Sequence, residues 1–257
     1  MERESTVDAH GVMDTWKKKH RLLYTAATRH PFILSIRDGT VDITCYKRWL
    51  GQDYIFVRAF VPFMAIVLVK GWKASEENSD LDTILGGLAY LDEEIAWFKK
   101  EAMKLGILLS GVIPQKANED YCGMQSVATL STIEAEYIAL REIVKEAIWL
   151  NGFLENLMSP EVEYAVAIAA AWTIEAVYQE SFAHCLEGGS CAPPELKETC
   201  ERWGNDDFGQ YCRSLQRIAG RNLGKAGAAV LEKAEAAFVR VLELEVEFWN
   251  MSNEEAT

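Results

Sequence analysis

The chain has 257 residues, and 49% of them are hydrophobic, so it is long and apolar enough to fold around one large core. Its formal net charge of -13 repels phosphate backbones and anionic lipids, which disfavours nucleic acid and membranes as partners. The acidic balance by itself indicates solubility rather than a particular partner.

The first ten residues are polar, and we expect a disordered tail over residues 1–10 followed by one domain over residues 11–257. The tail lacks the apolar segment of a signal peptide and the acid-poor composition of a transit peptide. The longest apolar run, Ala59–Val69, is interrupted by Pro62 and is too short to span a bilayer. We therefore expect a cytoplasmic protein with six free cysteines, because the cysteines show no CxxC spacing.

Apolar residues recur at steps of three and four along most of the chain, which predicts an all-α protein. In chain order, the predicted helices are Tyr46–Val69, Ile84–Met103, Tyr164–Leu186, Asp207–Leu223 and Ala228–Met251. Helix breakers cluster between them at Arg37–Thr40, Ala74–Asp80, Leu109–Gln115 and Gly188–Pro194. Because these connections are short, we expect a single bundle of about eight or more helices.

Three predicted helices carry a carboxylate next to aromatic residues, an arrangement suited to a planar, protonatable heterocycle. The three sites are Gln52-Asp53-Tyr54, Trp172–Glu180 and Glu245–Trp249. Helical geometry puts Glu245 on the same side as Leu242, where an idle carboxylate is costly because burial removes its water. Such an acid is either functional or one partner of an ion pair, and the residues alone leave both interpretations open.

Four segments of the chain resemble the TenA family, the thiaminase II-like enzymes of thiamine salvage. They are His30-Pro31-Phe32, Ile36–Thr40, Trp49–Tyr54 and the closing Glu245-x-x-Phe248-Trp249. The resemblance covers nearly all of the chain. It implies a single-domain, heme-oxygenase-like helical bundle with a pocket for the thiamine pyrimidine.

One position of the middle helix separates two branches of this family. Members with a cysteine nucleophile carry it in a Cys-x-x-x-Tyr setting, where this chain has Glu175 followed by Tyr178. The chain therefore resembles the eukaryotic, glutamate-bearing TenA_E branch, known from plants. That branch implies conversion of 4-amino-5-aminomethyl-2-methylpyrimidine, and of its N-formyl form, to 4-amino-5-hydroxymethyl-2-methylpyrimidine.

The resemblance also implies a role for each candidate site residue. Glu245 and Glu175 form the catalytic pair, in which Glu245 exchanges a proton with the ring and Glu175 activates water or the departing ammonium. Asp53 hydrogen-bonds the exocyclic amine or a ring nitrogen. The other expected substrate contacts are Phe56, Tyr121, Tyr178 and Trp203. Phe56 and Trp203 could equally be hydrophobic core residues that make no contact with a substrate.

We expect no cofactor, and four histidines without an ExxH pair argue against a metal site. The expected partners are a small aminopyrimidine and further copies of the chain, in a dimer or a tetramer, because the family that the chain resembles self-associates through apolar helix faces. A catalytically inactive, pyrimidine-binding or seed-maturation-associated member of the family is the alternative. An iron or redox protein on the same scaffold is a third interpretation, disfavoured by the shortage of ligands.

Residues 124–153 have no counterpart in the TenA pattern and resemble the ribonuclease H segment of copia-type retrotransposon polyproteins. The likeness rests on Ser131–Tyr137, in which Glu134 matches a metal-binding position of the nuclease. The remaining acids of that nuclease are missing, so a two-metal reaction cannot be assembled. We therefore expect an insert at about residues 122–152, containing an amphipathic helix around residues 131–150.

The insert affects one candidate site residue. In the TenA pattern a pocket tyrosine precedes a Phe-Leu pair by three residues, whereas here Tyr121 lies far before Phe153-Leu154. Either the insert loops out and leaves Tyr121 in place, or Leu150 replaces the tyrosine.

Overall fold

The structure is a computed structural model that describes residues 11–74, 78–122 and 152–253. Within these ranges the chain forms helices and no strands, which confirms the all-α prediction. The helices are α1 (Gly11–Lys19), α2 (Arg21–Thr28), α3 (Pro31–Arg37), α4 (Ile43–Ala74), α5 (Asn78–Leu105), α6 (Lys116–Cys122), α7 (Phe153–Met158), α8 (Tyr164–His184), α9 (Lys197–Gly204), α10 (Asp206–Gly224) and α11 (Ala228–Asn250). Short 3-10 turns lie at Leu109–Gly111 and Pro194–Leu196.

Helix α8 lies at the centre of the bundle. It packs against α4, α9, α10 and α11, and 16 of its 21 residues are buried. A helix that is apolar on every side requires such a position, because each face needs a partner. The central place of α8 brings its polar side chains, Glu175 and Tyr178, into the interior.

Two glycines allow close approaches around this centre. Gly39, just after α3, has a φ of 72°, and a Cβ there would lie 2.5 Å from the carbonyl oxygen of Cys191. Gly204 ends α9, where a Cβ would lie 2.6 Å from the backbone of Phe182 in α8. Because α9 approaches α8 so closely at Gly204, the preceding residue, Trp203, packs against the core.

Helix α4 is longer than the sequence predicts. It continues through Pro62, whose ring lies on an exposed side of the helix. By length and composition alone α4 could cross a membrane, but half of its most apolar window is buried within the protein. Core helices of soluble proteins pass the same test, so this is weak evidence for a membrane.

A cluster of packed rings links α3, α4, α8, α9 and α11. Trp49 lies at its middle, with ring centroids 5.8 Å from Phe32, 5.8 Å from Phe182, 5.9 Å from Trp203 and 6.2 Å from Trp249. Aromatic contacts at these distances give a rigid interior. The cluster forms one side of the candidate site.

Helices α6 and α7 flank the predicted insert. The ring of Tyr121 in α6 lies 6.3 Å from that of Phe153 in α7, so the two remain neighbours despite their separation in sequence. The predicted tail over residues 1–10 and the predicted helix around residues 131–150 lie outside the described residues, as do Glu134 and Leu150.

Candidate active site

A cavity lies between α4, α5, α8 and α9. About 300 Å³ of space lies between its walls, and part of that space is open solvent. Small-molecule sites typically combine apolar walls with a few polar groups, and this cavity has both. Its lining residues are Asp53, Phe56, Val57, Phe60, Leu91, Glu94, Ile174, Glu175, Tyr178 and Trp203.

Most of the residues expected at the site meet in this cavity, although they come from distant parts of the chain. Those that line it are Asp53, Phe56, Glu175, Tyr178 and Trp203. The remaining two, Tyr121 and Glu245, do not line it. The Cys-x-x-x-Tyr spacing, counted back from Tyr178, falls on Ile174, which lines the cavity beside Glu175.

Asp53 points inward from α4 and is only 2% exposed. The hydroxyl of Tyr178 donates a hydrogen bond of 2.7 Å to its Oδ1, whereas its buried Oδ2 has no protein partner. Burial raises the pKa of Asp53 well above its usual range, and the negative charges of Glu94 and Glu245 raise it further. Asp53 therefore takes up a proton more readily than an exposed aspartate does.

The neighbouring Gln52 anchors α4 to the turn that precedes α6. Its Nε2 donates to the carbonyl of Ile113 at 2.8 Å, and its Oε1 accepts from the amide of Gln115 at 3.0 Å. The side-chain amide of Asn118 also donates to Gln52, at its backbone carbonyl (2.8 Å) and at Oε1 (3.0 Å). In the Gln-Asp motif the glutamine thus has a structural role, and the aspartate faces the cavity.

Glu175 is half-buried in α8 and faces the cavity. Desolvation raises its pKa to about 8, with a further contribution from the negative charge of Glu94. A weak hydrogen bond from the hydroxyl of Tyr211, at 3.4 Å, lowers this pKa slightly. Because the pKa lies near neutrality, Glu175 populates both protonation states there, as a general acid or base requires.

Glu94 is a cavity carboxylate that was not expected from the sequence. It lies on α5, is 7% exposed, and accepts a hydrogen bond of 2.8 Å from Nε1 of Trp203. Burial raises its pKa to about 7, although this indole bond and the positive charge of Arg202 both lower it. Glu94 follows Leu91 and precedes Phe98 at helical spacing on a buried face, and this signal in the sequence could have identified it.

Glu245 and Tyr121 form a buried pair behind the cavity wall. The Tyr121 hydroxyl donates a hydrogen bond of 2.7 Å to Oε1 of Glu245, whose Oε2 is buried without a protein partner. Glu245 is fully buried, and desolvation raises its pKa to about 8. The ring of Phe56, which lines the cavity, lies 4.8 Å from Tyr121 and 5.4 Å from Phe248. Phe56 therefore contacts both the cavity and Tyr121 of this pair.

Comparisons with known proteins agree with this architecture. The model of the TENA/THI-4/PQQC family matches residues 17–140 and 132–255. A Glycine max protein named "Probable bifunctional TENA-E protein" is 57% identical over 242 residues, which span 94% of this chain and 93% of that protein. None of these comparisons supports the resemblance of residues 124–153 to a retrotransposon ribonuclease H, and we abandon it.

Solved structures share the fold. A TenA homologue from Pyrococcus furiosus superposes with a TM-score of 0.73 at 20% identity, covering 94% of this chain and 99% of that chain. A TenA homologue from P. horikoshii superposes with a TM-score of 0.67 at 12% identity, covering 94% of this chain and 97% of that chain. These neighbours confirm the heme-oxygenase-like helical fold.

Proposed function

Because this chain belongs to the TENA/THI-4/PQQC family, we propose that it is a thiamine-salvage hydrolase of the TenA_E branch that converts 4-amino-5-aminomethyl-2-methylpyrimidine to the 5-hydroxymethyl compound. The N-formyl form of the same amine is its second substrate. The observation that carries this function is the cavity in which Asp53 and Glu175, both with raised pKa values, lie among aromatic walls. The Glycine max relative is named bifunctional, which agrees with two reactions at one site.

In the proposed reaction, the oxygen of water forms a bond to the exocyclic methylene carbon. The amine enters as its ammonium form, the carbon–nitrogen bond breaks, and the electron pair of that bond leaves on the already protonated nitrogen as ammonia. Glu175 accepts the proton that water loses, for which a pKa of about 8 is well matched to neutral pH. Asp53 accepts a hydrogen bond from the ring amine or a protonated ring nitrogen at Oδ2, the oxygen without a protein partner.

Glu245 supplies the ring proton in this scheme. Its raised pKa keeps it protonated at neutral pH, and its Oε2 has no protein partner. Because Glu245 does not line the cavity, proton exchange with the ring requires a wall residue to move, and Phe56 lines the cavity and contacts Tyr121, the hydrogen-bond partner of Glu245. We therefore expect the Phe56 side chain to change rotamer when the pyrimidine binds.

The decisive experiment follows ammonia and the hydroxymethyl product after the pure protein is mixed with the aminomethyl pyrimidine. Loss of a general base costs about 10² to 10⁴ in kcat, so Glu175→Gln should fall by that factor. Glu232→Gln, at an exposed position on α11, is the matched control and should keep full activity. Tight pyrimidine binding without ammonia release would instead favour the inactive, pyrimidine-binding member of the family.

Two further properties belong to this proposal. We place the protein in the cytoplasm as a homo-oligomer, either a dimer or a tetramer. Support for self-association comes from exposed apolar side chains on adjacent helices, including Trp72 on α4, which is 74% exposed, and Leu85 on α5, which is 53% exposed. The molar mass in solution, measured by light scattering, tests this expectation.

A further inference from the structure

Glu94 is held in one orientation by its surroundings. Its Oε1 accepts the indole hydrogen bond of Trp203, and that indole packs against Phe182 at 5.0 Å and Trp97 at 5.4 Å. A carboxylate positioned by such a fixed donor presents its charge to the cavity at a defined place. Glu94 is thus a preorganised anionic group on the cavity wall, contributed by α5.

The cavity concentrates negative charge with little compensation. Asp53, Glu94 and Glu175 all line it, and the charge of Glu94 raises the pKa of both other carboxyls. Among the described residues, only Arg202 lowers the pKa of any of the three through positive charge, and it does so at Glu94. The Arg202 guanidinium lies over the ring of Trp97, at 4.8 Å from its centroid. Each of the three carboxyls accepts one hydrogen bond, but little positive charge among the described residues offsets their negative charge, so this cavity favours a cationic ligand.

An independent observation also indicates a ligand with donors. Oδ2 of Asp53 is buried and has no protein partner, although Asp53 itself lines the cavity and is only 2% exposed. Orphaned buried oxygens of this kind are rare in folded proteins. A ligand that carries several N–H groups could donate one hydrogen bond to this oxygen and others to the carboxylates of Glu94 and Glu175.

We propose that Glu94, oriented by Trp203, is a specificity-determining residue that binds the substrate's ammonium group together with Glu175. This inference rests on the proposed function and explains how the site would distinguish the charged amine substrate from neutral ligands. An alkyl amine is protonated at neutral pH, whereas the N-formyl form and the hydroxymethyl product are neutral at that group. Glu94 therefore selects the amine substrate over the neutral compounds and favours release of the product.

The test compares a cationic and a neutral ligand of almost the same shape, the aminomethyl and the hydroxymethyl pyrimidine. Binding is followed by stopped-flow tryptophan fluorescence before turnover, because Trp203 lines the cavity and reports on it. In Glu94→Gln the amide oxygen can still accept the indole bond, but the charge is lost. Removing a charge-assisted hydrogen bond should weaken binding of the amine by about 10- to 100-fold, and binding of the hydroxymethyl compound by less than about threefold. Glu232→Gln should bind both ligands as the wild type does.

The outcomes separate this inference from the proposed function. If the wild type releases no ammonia but prefers the amine, and Glu94→Gln loses that preference, the charge selectivity stands and the enzymatic function fails. If ammonia is released but Glu94→Gln weakens both ligands equally, the selectivity is refuted and the function stands. Equal affinity of the wild type for the two ligands also refutes the selectivity, and this measurement does not depend on any variant folding.

Discussion

The fully buried Glu245 makes a quantitative prediction about stability and pH. Its folded pKa is raised from 4.5 to about 8, so between these values the folded state holds a proton that the unfolded state has released. Stability must therefore fall as pH rises through this window. Each unit of pKa shift corresponds to about 1.4 kcal/mol. Through this one group, the free energy of unfolding of the wild type should therefore fall by about 2 kcal/mol as the pH rises from roughly 5.5 to 7.5.

Glu245→Gln isolates this contribution. Glutamine can still accept the Tyr121 hydroxyl bond, but it does not titrate. The free energy of unfolding is measured in urea at several pH values for both proteins. Glu94, Glu175 and Asp53 also have raised pKa values, so both proteins should lose stability with rising pH. The wild type should lose about 2 kcal/mol more than the variant.

The control for this experiment is Glu232→Gln, on the same helix but exposed. Its stability should follow that of the wild type at every pH. Parallel curves for the wild type and Glu245→Gln, within about 0.5 kcal/mol, would show that Glu245 is not protonated in the folded protein. The assignment of Glu245 as a proton donor would then have to be given up.

Three other substitutions test the architecture through the free energy of unfolding or local exchange. Tyr121→Phe removes the one hydroxyl that donates to Glu245 among the described residues and should lower the free energy of unfolding by about 1–3 kcal/mol, measured in urea. Gly204→Ala puts a methyl group against the backbone of Phe182 and should cost about 1–3 kcal/mol, whereas Gly224→Ala, with open space around it, should not destabilise. Gln52→Ala should speed hydrogen exchange at the turn before α6 by at least about tenfold, and unchanged exchange there would contradict its anchoring role.

The sequence predicted the helical architecture well because apolar periodicity is a local property. Three of the five long helices begin and end within two residues of their predicted bounds, and α8 is one example. The exceptions are α4, which begins three residues before and ends five residues after the prediction, and α5, which begins six residues before it. Apolar periodicity marks the buried stripe of a helix, so it does not locate the ends of a helix whose last turns are polar or exposed.

The structure bears on where the candidate site residues lie, whereas their roles remain predictions. Asp53 and Glu175, which the family resemblance implied, both line the cavity. Glu94 was missed because it follows Asp92 and Glu93, two exposed acids, so the run resembles a solvated helix face. Glu245 does not line the cavity, and its position depends on how the helices pack together, which helical periodicity does not determine.

The contact between Tyr121 and Phe153 also bears on the length of the segment between them. The ring centroids at the ends of the predicted insert lie 6.3 Å apart, so the main chain departs from and returns to almost the same point on the bundle. The entropy of closing a loop grows only slowly with its length. A change in the length of the segment between these two residues should therefore cost little free energy, provided that the contact between their rings is kept.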